Sequence, residues 1–456
     1  MRLIIVGLGQ TGTELAKELV LANHEVIVID TDKNKIEEFT NEYDAIGVVG
    51  SGASREILMR AKANNADAII SLTSNDEVNL MSCITAKKIG SKYGVARVST
   101  KEYKDDEKYL TENFGIDMIV NAEYDTANEI TRIISYPTSV KAGIFSNGKV
   151  DMTEITIKED SPLINVKLTE LKEKFNVKVT VVSILRNGKL VIPRGEAVLQ
   201  EGDEVCVVAK SSQIYKLLNK LNMIEKPVKN VLVVGCGSVG EQLLTNLEEM
   251  NVKVKLIEFD KERCMQIVEK FPDVKVTLGN GIDSDMLLEE GIKDFDCCVS
   301  ITGADETNLV VTLFAWSCKV RKLITRITSL SYSRMLHNVE IDNTLSPHLI
   351  AINSVNRFIR GISNKKKQSE SIKSLYRFAN NLAEAVEFEV IDGFEYVGKS
   401  LKEICIKKDF VIAFITRNNK VIIPNGETTI EIKDKIMVIT SSDKNIVNLS
   451  EIINIE

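Results

Sequence analysis

The stretch Arg2–Leu15, RLIIVGLGQTGTEL, returns more than two hundred residues later as Asn230–Leu243, NVLVVGCGSVGEQL. Each copy runs from a β-branched strand through Gly-x-Gly-x-x-Gly into a helix. In each, an acid (Asp30 or Glu258) ends the next strand at the same distance from the last glycine. A lone glycine pattern is weak evidence. Strand before, helix after and acid beyond are the context a dinucleotide site requires. The copies stay in step further on. VVGSGASREIL (from Val48) matches TLGNGIDSDML (from Thr277), DAIISLTSNDEVNL (from Asp67) matches DCCVSITGADETNL (from Asp296), and VARVS (from Val95) matches ITRIT (from Ile324).

A second, shorter unit also repeats. ILRNGKLVIPRGEAVLQEGDEV from Ile184 pairs with ITRNNKVIIPNGETTIEIKDKI from Ile415. Both carry strand alternation, an Asn-Gly or Asn-Asn turn suited to a tight hairpin, and a Pro-x-Gly turn before the last strand. The expected architecture is α/β: two Rossmann-like units with parallel sheets, each followed by a smaller α+β unit. The boundaries fall at residues 1–136, 137–226, 227–362 and 363–456. Asn121-Ala122-Glu123 and Ser346-Pro347-His348 start the helices that leave the α/β units, the second with proline at the first helical position. Those helices are expected to end near Tyr136-Pro137 and Gly361. The run Lys365-Lys366-Lys367 suits a solvated linker or a phosphate-binding patch.

Composition narrows the function. A net charge of −7 over 456 residues disfavours a general nucleic-acid binder, which needs a basic face. No run approaches the ~20 apolar residues of a membrane-spanning helix, and no signal peptide opens the chain, so a cytosolic location is expected. The eight cysteines include no CxxC pair and read as small buried hydrophobes, not disulfides or metal ligands.

Gly7 and Gly235 are expected to allow the tight turn. Gly9 and Gly237 would let phosphate approach the backbone, and Gly12 and Gly240 would let the helix pack on the strand. Phosphate then meets free N–H groups at a helix N-terminus. Asp30 and Glu258 can accept from ribose hydroxyls and repel a 2′-phosphate, which points to NAD or an adenine nucleotide over NADP. Thr73-Ser74 and Thr302-Gly303 end the fourth strands, and Arg97 and Arg326 end the fifth, where guanidinium groups could reach phosphate. Gly50-Ser51-Gly52 and Gly279-Asn280-Gly281 either edge the adenine side or form plain turns. Asp76-Glu77 and Asp305-Glu306 suit helix first turns, not catalysis. The chain has three histidines, His24, His337 and His348; the positions of His24 and His348 do not repeat in the other half, and P-loop, HExxH and GxSxG motifs are absent. No catalytic or metal residues are expected. A sensor is favoured over an NAD-dependent oxidoreductase.

With VIVIDTD, TSNDEVNL and VARVS in order, and GKLVIPRGE and NKVIIPNGE beyond them, the chain resembles tandem RCK (regulator of potassium conductance) domains. Their order RCK-N, RCK-C, RCK-N, RCK-C resembles the TrkA family of peripheral subunits of Trk potassium-uptake systems. The resemblance implies a regulatory gating subunit on the inner face of the membrane, a homo-oligomeric, tetrameric ring. Its partner would be an integral-membrane potassium transporter of TrkH/TrkG type. It also implies NAD(H), and ATP or ADP, as ligands. Carried over, the first site comprises Gly7, Leu8, Gly9, Gln10, Thr11, Gly12, Asp30, Thr73, Ser74 and Arg97. The second comprises Gly235, Cys236, Gly237, Ser238, Val239, Gly240, Glu258, Thr302, Gly303 and Arg326. Ser51 stands where family members often have Asp or Asn, and Asp30 differs from Glu258, so the two nucleotide preferences could differ. Some RCK-C modules bind a cyclic dinucleotide; nothing in these residues demands one. A free-standing redox or nucleotide sensor remains the alternative.

Overall fold

The computed structural model describes the chain except residues 136–141, 146–149, 225, 338, 340, 342, 366–369, 380–381, 419, 445, 447 and 454–456. The Tyr136-Pro137 joint, Lys366-Lys367 and Asn419 of the second hairpin turn therefore lie outside the described residues. The chain divides into two compact units, residues 1–136 with 227–356, and 137–226 with 357–456.

In chain order, β1 (Arg2–Val6), β2 (Glu25–Asp30), β3 (Ile46–Val49), β4 (Ala68–Ser71), β5 (Tyr93–Arg97) and β6 (Met118–Val120) form a parallel sheet ordered 3-2-1-4-5-6. An antiparallel sheet of β7 (Ala142–Phe145), β8 (Val150–Thr156), β9 (Thr180–Arg186), β10 (Lys189–Val191) and β11 (Glu204–Ala209) follows, ordered 10-9-11-8-7. The second half repeats both. Strands β12 (Asn230–Val234), β13 (Lys253–Glu258), β14 (Lys275–Leu278), β15 (Cys297–Ser300), β16 (Lys322–Arg326) and β17 (Thr344–Leu345) are parallel, ordered 14-13-12-15-16-17. Finally β18 (Glu370–Phe378), β19 (Ala383–Val390), β20 (Val411–Arg417), β21 (Lys420–Ile422) and β22 (Lys435–Ser441) are antiparallel, ordered 18-19-22-20-21.

In the first unit, the central strands β1 and β12 are apolar without alternation because helices cover both faces of a parallel sheet. Leu3, Ile4, Ile5, Val231, Leu232 and Val233 are fully buried. The strand order turns back between β1 and β4, and between β12 and β15, which opens a crevice at the carboxyl ends of those strands. Helices Gln10–Leu21 and Ser238–Glu249 begin at the glycine loops and are called loop helices below. Exit helices Ala122–Ser135 and Pro347–Lys365 leave the sheets. The first is capped as expected, Asn121 Oδ1 accepting from Tyr124 N at 2.8 Å. The second continues past Gly361: one interior glycine costs only about 1 kcal/mol and breaks nothing without a following proline or cap.

In the second unit, each sheet is buried on both sides. One face of each carries its own apolar cover, such as Leu163, Leu171 and Phe175 on the first and Phe394, Ile404 and Leu449 on the second. The other faces meet in a shared core of Met152, Val182 and Val208 with Ala385, Phe414 and Met437. The first hairpin turns at Asn187 (φ 51°) and Gly188 (φ 72°), both left-handed as a type I′ turn requires. Six cysteines are buried, but Cys318 is half-buried and Cys405 is exposed. Cys405 lies between Ile404 and Ile406, both turned to the core, and so faces outward.

Each antiparallel sheet also holds a buried ion pair. Arg186 clasps Asp203 through Nε and Nη2, both at 2.7 Å, and Arg417 clasps Asp434 at 2.8 Å through each nitrogen. Both aspartates are fully buried. Arg417→Met should lower unfolding stability by roughly 3 kcal/mol, because Asp434 is left buried without its charge partner. Chemical denaturation of wild type and variant checks this.

Candidate functional site

Each glycine loop is closed by the acid that sequence places beyond it. Leu8 N donates to Asp30 Oδ2 at 2.6 Å, and Asp32 N donates to Asp30 Oδ1 at 2.8 Å. In the second half Cys236 N donates to Glu258 Oε2 at 2.6 Å, while Phe259 N and Asp260 N donate to Oε1 at 2.7 and 2.9 Å. The longer glutamate reaches the same amide as the aspartate. Both Asp30 oxygens and Glu258 Oε2 accept one N–H each and keep a second lone pair for a further donor, whereas Glu258 Oε1 already accepts two.

The glycines differ in what surrounds them. Gly7 and Gly235 adopt φ of 95° and 91°, strained for any L side chain. A Cβ on Gly12 would lie 1.9 Å from Gly7 O, so the loop helix fits only without one. A Cβ on Gly9 or Gly237 would meet nothing within 4 Å. That open face lies at the start of the loop helix, whose first amides have no intrahelical partner, and the chemistry suits an anion. Gly52 and Gly281 are packing residues: a Cβ there would run into Val6 or Val234 at the ends of β1 and β12.

The fourth and fifth strands bring their residues to the same edge. Thr73 and Thr302 abut Gly7 and Gly235. Ser74 and Gly303 are exposed beside them. Arg97 donates from Nη2 to Glu123 Oε1 at 3.1 Å, and Arg326 from Nη1 to Thr302 O at 3.3 Å. Arg97 is thus partly neutralised by an acid that sequence alone does not place beside it.

Three features escape a motif search. Buried Asn79 ties the two strand ends together: Oδ1 accepts from Thr73 N (2.9 Å), Thr73 Oγ1 (2.7 Å) and Ser71 Oγ (3.1 Å), and Nδ2 donates to Thr73 O and Arg97 O at 3.0 Å each. Asn308 repeats every contact. The signal was present, an Asn at matching positions of the two repeats. Asp76 does more than complement a helix dipole, since it accepts from Ser99 N and Thr100 N; Asp305 does the same for Thr328 N and Ser329 N. Arg263 donates to Cys236 O at 2.8 Å and to Glu241, bracing the second loop alone. Burial pushes the Cys236 thiol up to about 12, so it is inert packing, not a nucleophile.

Elsewhere, the repeated Pro-x-Gly turns converge. Pro193, Arg194 and Gly195 line one cleft of about 520 Å³ with Pro424, Asn425 and Gly426. Among the described residues no cluster of His, Cys, Asp or Glu could hold a metal ion, and no helix is long and apolar enough to cross a membrane.

Comparison with known proteins places this arrangement. The TrkA-N domain model matches residues 3–122 and 231–347, and the TrkA-C domain model matches 152–222 and 385–445. A Trk system potassium uptake protein TrkA homolog of Archaeoglobus fulgidus is 32% identical, covering 97% of this chain and 98% of that protein. The Trk system potassium uptake protein TrkA of Haemophilus influenzae is 28% identical, covering 99% and 98%. Among solved structures, the GsuK channel bound to NAD shares the fold at 17% identity and a TM-score of 0.62, over 97% of this chain and 77% of that one. The GsuK RCK domain does so at 17% and 0.60, over 97% and 93%. With two TrkA-N and two TrkA-C domains in tandem, the chain belongs to the TrkA family.

Proposed function

We propose that the chain is a nucleotide-sensing regulatory subunit that gates a potassium-uptake system, and that it is not an enzyme. The observation that carries this is the duplicated glycine loop, closed by an acid and open over Gly9 and Gly237. Full-length similarity to potassium-uptake subunits supports it, as does the fold shared with a channel solved with NAD. In each half the loop amides would hold the phosphates, Asp30 or Glu258 the ribose, and Thr73, Ser74 and Arg97, or Thr302, Gly303 and Arg326, the far side. NAD(H) or ADP and ATP fit this set. The partner is an integral-membrane potassium transporter of TrkH/TrkG type, contacted from the inner face by a homo-oligomeric, tetrameric ring.

Gating follows from differential affinity. A nucleotide that binds one arrangement of the ring tenfold more tightly than another supplies about 1.4 kcal/mol per site to the pore equilibrium. Nothing in that scheme consumes the ligand.

Calorimetry on the purified full chain with NADH, NAD, ATP and ADP tests the proposal. Asp30→Ala and Glu258→Ala should each weaken binding by roughly tenfold or more, each removing the hydrogen-bonded acid of one site. Absorbance of NADH at about 340 nm should stay constant with a metabolite pool added, since binding needs no hydride transfer. Wild-type protein that binds none of the four would remove the proposal; steady NADH loss would replace it with a dehydrogenase. NADP should bind at least about tenfold more weakly than NAD, because its 2′-phosphate would face either carboxylate.

A further inference from the structure

The two halves of the first unit exchange their exit helices. On the second half's loop helix, Asn246 Nδ2 donates to Asn128 Oδ1 (3.0 Å) and Thr131 Oγ1 (2.9 Å) of the first exit helix. On the first half's loop helix, Glu18 Oε2 accepts from Asn356 Nδ2 of the second exit helix at 2.6 Å. Asn246 and Glu18 hold the same position of their helices, as do Thr131 and Asn356, so the two contacts are related by the repeat.

The relation breaks at one rung. His348 is the second residue of its exit helix, and its Nδ1 lies 2.8 Å from Thr11 Oγ1, the second residue of the first loop helix. The corresponding residues for the other site are Glu123 and Val239, an acid and a side chain with no hydrogen-bonding atom. One glycine loop is therefore met by an imidazole and its counterpart by a carboxylate at that rung. Around His348 stand Arg97 from β5, Arg326 from β16, Glu123 from the first exit helix and Asp305 from the helix after β15. Arg97 Nε, Arg326 Nε and Glu123 Oε2 are buried and have no hydrogen-bond partner among the described residues. Buried guanidinium Nε–H groups are costly to leave unmatched, and a ligand phosphate would supply the acceptor that both Nε atoms lack.

We propose that His348, supplied by the second half, reads the phosphate charge of a nucleotide in the first site by taking up a proton and bonding to it. This rests on the nucleotide-binding function proposed above. Burial first, then Arg97 and Arg326, hold the free imidazole below its usual value. A phosphate anion beside it opposes all three and raises that value. Between the free and bound values, binding takes up a proton. First-site affinity rises as pH falls through the bound value, levels off below the free one, and is flat at higher pH. The second site has no imidazole at that rung.

The test is calorimetry of NAD binding to the full chain in two buffers of different ionisation enthalpy. NAD is the probe because its diphosphate does not titrate near neutrality. Wild type should take up protons and bind roughly tenfold more tightly at about pH 6 than at about pH 8. His348→Gln should lose both the uptake and the pH dependence. His348→Lys should keep the tight binding at both pH values with no uptake, which separates charge from structure. If NAD binds and His348→Gln alters neither uptake nor affinity, the role of His348 is overturned while the nucleotide function stands. If NAD does not bind wild type at all, that function fails and the role of His348 with it.

Discussion

The exchange of exit helices is the constraint on which the first unit depends. Ala127, Ile130 and Ile134 of the first half are buried in one core with Val231, Val233, Leu243, Leu244 and Leu247 of the second. Burying each isoleucine contributes about 1.5–3 kcal/mol, so the second half lacks part of its core without the first exit helix. The half-buried polar rungs Asn246–Thr131 and Asn356–Glu18 mark the register of that packing. The loop helices, and with them the glycine turns, are thereby held by residues from the opposite half.

This explains which parts of the molecule were legible in the chain alone. The parallel sheets and loops could be read because duplication supplied two copies of every cue, each in strand–turn–helix context. Positive φ at Gly7 and Gly235 and the closed contact at Gly12 follow from elementary sterics, and the structure has them. The exchange could not be read. An amphipathic exit helix shows the same apolar spacing whether it packs on its own half or on the other. Without the exchange, nothing in the sequence brings His348 to Thr11.

Other misses have a simpler origin. Asn79 and Asn308 sit in the matched stretches, but a single Asn on a helix has many fates until the strand ends it joins are known. The Arg186–Asp203 and Arg417–Asp434 pairs span a hairpin and a turn, and charge pattern alone would put them on a solvated face. Cys405 was misplaced because composition cannot tell the outward member of an alternating strand-like stretch from the inward ones.

A repeat of this kind begins with two equal sites and preserves them only where packing demands it. Asn79 and Asn308 keep every bond, because a buried amide with a lost partner would cost about 1–3 kcal/mol in either half. Other repeat-related positions around the glycine loops differ in residue. There Asp30 stands opposite Glu258, Thr11 opposite Val239, and His348 opposite Glu123. Packing therefore fixes the geometry common to both sites, while the exchanged helices are free to give each a different charge. Each loop helix contacts a side chain of the other half, through Thr11–His348 and Glu18–Asn356 on the first and Asn246–Thr131 on the second.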